Sequence, residues 1–153
     1  AILFEILDDI KKGVGVDIDD KKLDNGKFII QENNIENITL ISERLETYME
    51  RSEEKFDCVF LLNILHHLYN PYEVLQLTSK MSNDKICIEA PVKGFYLPYA
   101  RDMHLDQNYE KLDIEDIVQS LDNAGYSLSK RVMSQNQENF IGPDRCVCLF
   151  QKR

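Results

Sequence analysis

The stretch from Phe56 to Pro71, FDCVFLLNILHHLYNP, constrains the fold of this chain more than any other. Its first half is an apolar run long enough for a strand and too short for a core helix. Charged Glu53, Glu54 and Lys55 precede it, and Asn70-Pro71 follows its two histidines. Asn70 suits a helix N-cap and Pro71 the first helical position. A strand buried on both faces, a polar loop and a helix together make one βα unit of a parallel sheet. Ligands of open α/β sheets sit at the carboxyl ends of the strands. Asn63, His66 and His67 stand at that end here.

The rest of the chain repeats this alternation. Ile2, Leu3, Ile6, Leu7 and Ile10 form an apolar stripe that predicts a helix from Ala1 to Lys12, stopped by Gly13. Val14 to Ile18 reads as a strand. Gly13-Val14-Gly15 precedes that strand instead of following one, which excludes a phosphate loop. Asp19 or Asp20 caps a helix to Glu32 with Leu23, Ile29 and Ile30 as its apolar positions, although Gly26 weakens it and Asn33-Asn34 ends it. Ile38–Ile41 is a strand, Ser42 to Arg51 a short helix and Phe56–Leu62 the central strand. Pro71 to Met81 is a helix, Ser82-Asn83-Asp84 a turn and Ile86–Ala90 a strand stopped by Pro91. From Val92 to Leu112 no period is clean, and a loop of that length in a compact domain is usually functional or mobile. Asp113 caps a helix that Gly125 ends, and Tyr126–Ser134 and Arg145–Gln151 form a closing hairpin. The expected fold is α/β: a single domain over residues 1–153, with a mostly parallel sheet, helices on both faces and a C-terminal antiparallel hairpin strand.

At 153 residues the chain is long enough to bury a core, and 43% apolar with 29% charged residues is ordinary for a globular protein. Its net charge of −9 argues against broad nucleic-acid binding, which is largely electrostatic. No apolar run is long enough to span a bilayer and no signal peptide is visible, so a cytoplasmic protein without a membrane partner is expected. Cys58, Cys87, Cys146 and Cys148 all fall in strands and form no C-x-x-C pair, so free thiols in a reducing compartment are expected, with no metal site. His66, His67 and His104 lack the carboxylate partner that would turn them toward one ion.

The pattern FDxVxxxNxLHHLxxP resembles the fourth strand and following loop of class I methyltransferases that use S-adenosyl-L-methionine. The resemblance runs from about Ile10 to Lys152. It implies a Rossmann-like sheet of order 3-2-1-4-5-7-6 with an antiparallel last strand. It makes Val14–Ile18 strand 2, Ile38–Ile41 strand 3, Phe56–Leu62 strand 4, Ile86–Ala90 strand 5 and the hairpin strands 6 and 7. It further implies that Asp17 accepts hydrogen bonds from the cofactor's ribose diol, with Ile18 against the adenine. Asp17 as a helix cap is the plainer alternative. Glu43 and Arg44 would lie by the adenine amino group, and Asn63, Ile64 and Leu65 by the methionine part. His66 is the candidate catalytic base. Tyr96, Tyr99 and Tyr109 would line the pocket of an unidentified methyl acceptor, or else pack their loop onto the sheet. The sequence opens after the place where the family puts strand 1 and its glycine-rich loop. The domain is therefore expected to be incomplete at its amino end, with an upstream segment or another chain completing the sheet. The expected activity is methyl transfer. A catalytically inactive methyltransferase-like scaffold, or a partner-binding module, is the alternative; a nicotinamide-dependent dehydrogenase is a weaker one, disfavoured by the closing hairpin.

Overall fold

The computed structural model describes residues 10–68, 70–91, 113–134 and 145–153. Most of the expected opening helix, the segment with Tyr96, Tyr99, His104 and Tyr109, and the expected hairpin loop lie outside them. The chain divides into two compact units, Ala1–Ser52 and Glu53–Arg153.

In the first unit, strand β1 (Gly13–Asp17) leads through helix α1 (Asp20–Glu32) to strand β2 (Ile38–Ser42) and then helix α2 (Leu45–Arg51). β1 and β2 pair in parallel from Gly13↔Ile38 to Asp17↔Ser42. Asp19 caps α1, its carboxylate accepting from the backbone N–H of Lys21 at 3.0 Å and of Lys22 at 3.3 Å. The helix ends at Asn33, and Asn34 takes a left-handed backbone with φ of 52°. Gly26 is a point of close approach rather than a weakness. A Cβ there would come within 2.7 Å of one Leu40 methyl, and a Cβ on Gly15 within 2.7 Å of the other. Two glycines thus make room for the β2 leucine between helix and strand.

Three expectations need correction in this unit. The opening helix does not reach Lys12, because residues 10–12 are irregular. There the Ile10 carbonyl accepts from the Asn37 side-chain amide, and the Gly13 N–H donates to the Asn37 carbonyl at 2.8 Å. Cross-chain bonds have replaced helical ones. Helix α2 starts at Leu45 instead of Ser42, since β2 continues through Ser42 to pair with Asp17. Ile29 of α1 is 52% exposed, so Leu23 alone carries that helix's buried contact among the described residues.

In the second unit, strand β3 (Phe56–Leu62) is followed by a 3₁₀ turn (Leu65–His67), helix α3 (Pro71–Met81), strand β4 (Ser82–Pro91), helix α4 (Ile114–Asn123), strand β5 (Tyr126–Ser134) and strand β6 (Arg145–Lys152). The order is β3-β4-β6-β5, parallel between β3 and β4 and antiparallel on both sides of β6. With the β2-β1 pair, these are the 3-2 and 4-5-7-6 neighbourhoods of the expected order. The fold is α/β and Rossmann-like, with a C-terminal antiparallel strand.

Local chemistry sets most boundaries here. Pro71 opens α3, although the Asn70 amide bonds the Glu73 carboxylate at 2.9 Å instead of a backbone N–H. Pro71, Val74, Leu75, Thr78 and Met81 fall on one helical stripe and are buried. Asp113 caps α4 by accepting from the Glu115 N–H at 3.0 Å, and Gly125 follows the helix at φ of 91°. Alternate residues Ile86, Ile88 and Ala90 of β4, and Cys146, Cys148 and Phe150 of β6, are buried on one sheet face. Tyr126 is wholly buried beside them, and its hydroxyl donates to the carbonyls of Ser82 at 2.7 Å and Ser79 at 3.3 Å. On the other face Phe60 and Leu62 stay 62% and 53% exposed, so β3 buries Leu61 on one face and is not buried on both as its apolar run predicts.

Ser82-Asn83-Asp84 is not a turn. β4 begins at Ser82, directly after α3, and Ser82 pairs with Phe56 across a register shift before Cys58. The strand also runs through Pro91, which pairs with Arg145. All four cysteines are free. Cys146 and Cys148 lie 3.5 Å apart at sulfur on the buried face, where burial pushes the Cys146 thiol up to about 11.

Candidate functional site

The carboxyl ends of the parallel strands gather the charged and polar side chains in each unit. In the first unit, β1 ends at Asp17 and β2 at Ser42, in register. The Glu43 N–H donates to the Asp17 carbonyl at 3.2 Å, extending the ladder by one step. Asp17, Ile18, Glu43 and Arg44 therefore share one edge of this unit. Asp19 and not Asp17 caps α1, which leaves Asp17 outside the helix's bonding. One of its carboxylate oxygens accepts from the Asp19 N–H at 2.9 Å in a local turn. Ile18 is 68% exposed, an apolar surface beside that carboxylate. The Ser42 hydroxyl bonds the Asp20 carboxylate at 2.5 Å.

Glu43 is already engaged. The Arg51 guanidinium grips its carboxylate, with Nη2 at 2.7 Å and Nε at 3.0 Å, and holds it below the usual carboxylate range. Arg44 is exposed and reaches Glu46 at 3.8 Å.

In the second unit, the chain leaves β3 at Asn63, a non-glycine residue at φ of 56°. Its N–H donates to the Glu89 carbonyl at 3.1 Å, and its side-chain oxygen accepts from Arg145 Nη1. Half-buried Ile64 follows. Leu65 and His66 then turn inward, at 0% and 4% exposure, while His67 faces out. The two imidazoles meet at 3.9 Å between ring centroids. Burial pushes His66 down to about 4, with His67 and then Arg145 adding repulsion. His66 is thus neutral near pH 7.

The structure brings together Asp17, Ile18, Glu43 and Arg44 in one unit, and Asn63, Ile64, Leu65 and His66 in the other. Tyr96, Tyr99 and Tyr109 lie outside the described residues. Arg145 and its partner Glu89 stand outside the sequence-derived set. One signal for Arg145 is a charged residue opening a strand whose next five residues are apolar. Among the described residues no three His, Cys, Asp or Glu side chains cluster as a metal site, and no helix is long and apolar enough to cross a membrane.

The residues present fit the chemistry of an adenosine-bearing cofactor. A carboxylate outside the helix's bonding suits a diol, and the exposed isoleucine next to it suits a purine face.

A family model described as a methyltransferase domain matches residues 2–140. No curated protein matches the sequence. Among solved structures, the chain is similar to magnesium protoporphyrin IX methyltransferase from Synechocystis PCC 6803 with bound SAH, at a TM-score of 0.72 and 16% identity over 92% of this chain and 63% of that one. A putative S-adenosylmethionine dependent methyltransferase from Listeria monocytogenes gives 0.71 at 11% identity, over 94% of this chain and 81% of that one. The N-methyltransferase NodS from Bradyrhizobium japonicum WM9 gives 0.64 at 14% identity, over 93% and 74%. The chain spans less than two thirds of the Synechocystis enzyme's length. Fold similarity and the match over most of its length agree: the chain belongs to the class I methyltransferases, whose cofactor is S-adenosyl-L-methionine.

Proposed function

We propose that this chain binds S-adenosyl-L-methionine and serves transfer of its methyl group to an acceptor whose identity is open. The observation that carries the reading is Asp17 at the end of β1, left outside the helix's bonding by Asp19 and beside exposed Ile18. In this reading Asp17 takes the ribose diol and Ile18 lies against the adenine. Because Arg51 holds the Glu43 carboxylate, the backbone of Glu43 and Arg44 meets the adenine edge. In the second unit, Asn63, Ile64 and Leu65 orient the methionine end. When bound, the cofactor supplies a methyl group on a sulfonium, released with the bonding pair left on sulfur. The chain's part is to align that group with the acceptor and to exclude water.

His66 is the candidate base. Its burial keeps the imidazole neutral near pH 7 and so able to accept a proton. Tyr96, Tyr99 and Tyr109 are proposed to line the acceptor pocket, and the cytoplasm is the proposed compartment.

Calorimetric titration with S-adenosylhomocysteine tests the reading. Micromolar binding by the chain and its loss in Asp17→Ala are expected. Absence of binding both by the well-folded chain and by the chain extended with its upstream residues would sink it and favour the scaffold alternative.

A further inference from the structure

We propose that Arg145 is a positioning residue for the loop after β3: from the first position of β6 it fixes Asn63 in its left-handed backbone, and Glu89 in turn fixes Arg145. This rests on the reading that the loop meets the cofactor.

Three strands converge at this point. Leu62 of β3 is opposite Glu89 of β4, Glu89 is opposite Val147 of β6, and Arg145 lies two residues before Val147. Side chains two apart on a strand share a face. Glu89 and Arg145 therefore project from one face, at the carboxyl end of β3. Arg145 Nη1 carries two hydrogens and has two acceptors within reach, the Asn63 side-chain oxygen and the Glu89 carboxylate at 3.3 Å. The Arg145 and Glu89 side chains are 25% and 26% exposed, so this pair is mostly out of water.

Asn63 needs the support. A left-handed backbone is unfavourable for any residue with a Cβ, less so for Asn than for most, and only Gly escapes the penalty. The main-chain bond to Glu89 continues the ladder but does not itself set the turn. The side-chain bond to Arg145 does so from across the sheet. Two residues on, fully buried Leu65 fastens the other end of the loop. Between these anchors the chain has little choice about where Ile64 presents its backbone.

The test is a cycle of variants of the whole chain, read by S-adenosylhomocysteine affinity and by the Asn63 backbone carbon shifts in NMR. Arg145→Ala is expected to weaken binding about tenfold and to move the Asn63 shifts away from left-handed values. Arg145→Lys, which keeps the charge, should recover part of both and serves if the alanine variant does not fold. In an Asn63→Gly background, where the left-handed backbone needs no holding, Arg145→Ala should change affinity by less than about twofold. The same tenfold loss in that background would mean that Arg145 acts on the ligand directly, and would overturn the proposal. So would unchanged Asn63 shifts in Arg145→Ala. If the wild-type chain does not bind, the cofactor reading fails, and the Asn63 shifts alone decide the positioning role.

Discussion

The two units differ in how they are held. Among the described residues the first buries Leu23, Tyr48 and Met49, and leaves Ile18, Phe28 and Ile29 exposed. The second closes four strands and two helices over a continuous core that includes Leu61, Val74, Leu75, Ile86, Ile117, Leu121, Tyr126 and Phe150. A two-stranded pair is marginal in water without helices packed on it, so the first unit depends on α1 and α2 where the second has four paired strands as well as its helices. Yet the first unit carries Asp17 and Ile18, on which the proposed cofactor reading rests. Recognition chemistry and folding energy are thus unevenly shared.

The largest test of that contrast is a pair of truncations. Phe150→Ala is expected to cost about 3–5 kcal/mol in urea unfolding. Leu23→Ala should cost about 2 kcal/mol, the low end for such truncations, because α1 has less around it to lose. Equal costs would break the comparison.

Next comes acid. His66 titrates near 4 when folded and near 6.5 when unfolded. Between those values the unfolded chain binds more protons, so stability falls as pH drops from 6.5 to 4 and is highest above that window. The loss is at most about 3 kcal/mol. His66→Gln should flatten this part of the profile, and an unchanged profile would show that His66 is not the group responsible.

Asp17→Ala sharpens the contrast from the other side. S-adenosylhomocysteine affinity should fall at least about tenfold, while the unfolding midpoint stays within about 0.5 kcal/mol of the parent. A large stability loss would make Asp17 structural instead. Smallest, Asp19→Ala and Asp113→Ala should each cost about 1 kcal/mol by thermal unfolding. Similar costs are expected despite the different cores, because a cap bonds only its own helix.

The elements that the sequence made legible are those whose signals are local. Phe56–Leu62, the opening at Pro71, the Asp113 cap and the Gly125 stop each depend on residues within a turn of one another. Errors arose where distant partners decide. Ser82-Asn83-Asp84 has turn chemistry, but pairing with Phe56 and the Tyr126 hydroxyl on the Ser82 carbonyl make it strand. Gly26 reads as a weak helix until Leu40 is seen against it. In the candidate site, Asn63 could be picked out by its place at a strand end, and Asp17 and Glu43 by the resemblance to the methyltransferase family. The Arg51 grip on Glu43 could not, since it depends on how α2 folds back. Nor could Arg145 on Asn63, which only the strand order brings near.

That strand order also bears on how the chain is made. β6 is last in sequence, but it is inserted between β4 and β5. Until it has been synthesised, β4 has no neighbour beyond β3 and β5 none at all, so the sheet cannot close progressively from the amino end. Pairing across so many residues is slow and leaves open strand edges in the meantime. The growing polypeptide is therefore aggregation-prone in the interval between the emergence of β4 and that of β6, and loss of β6 would prolong that interval.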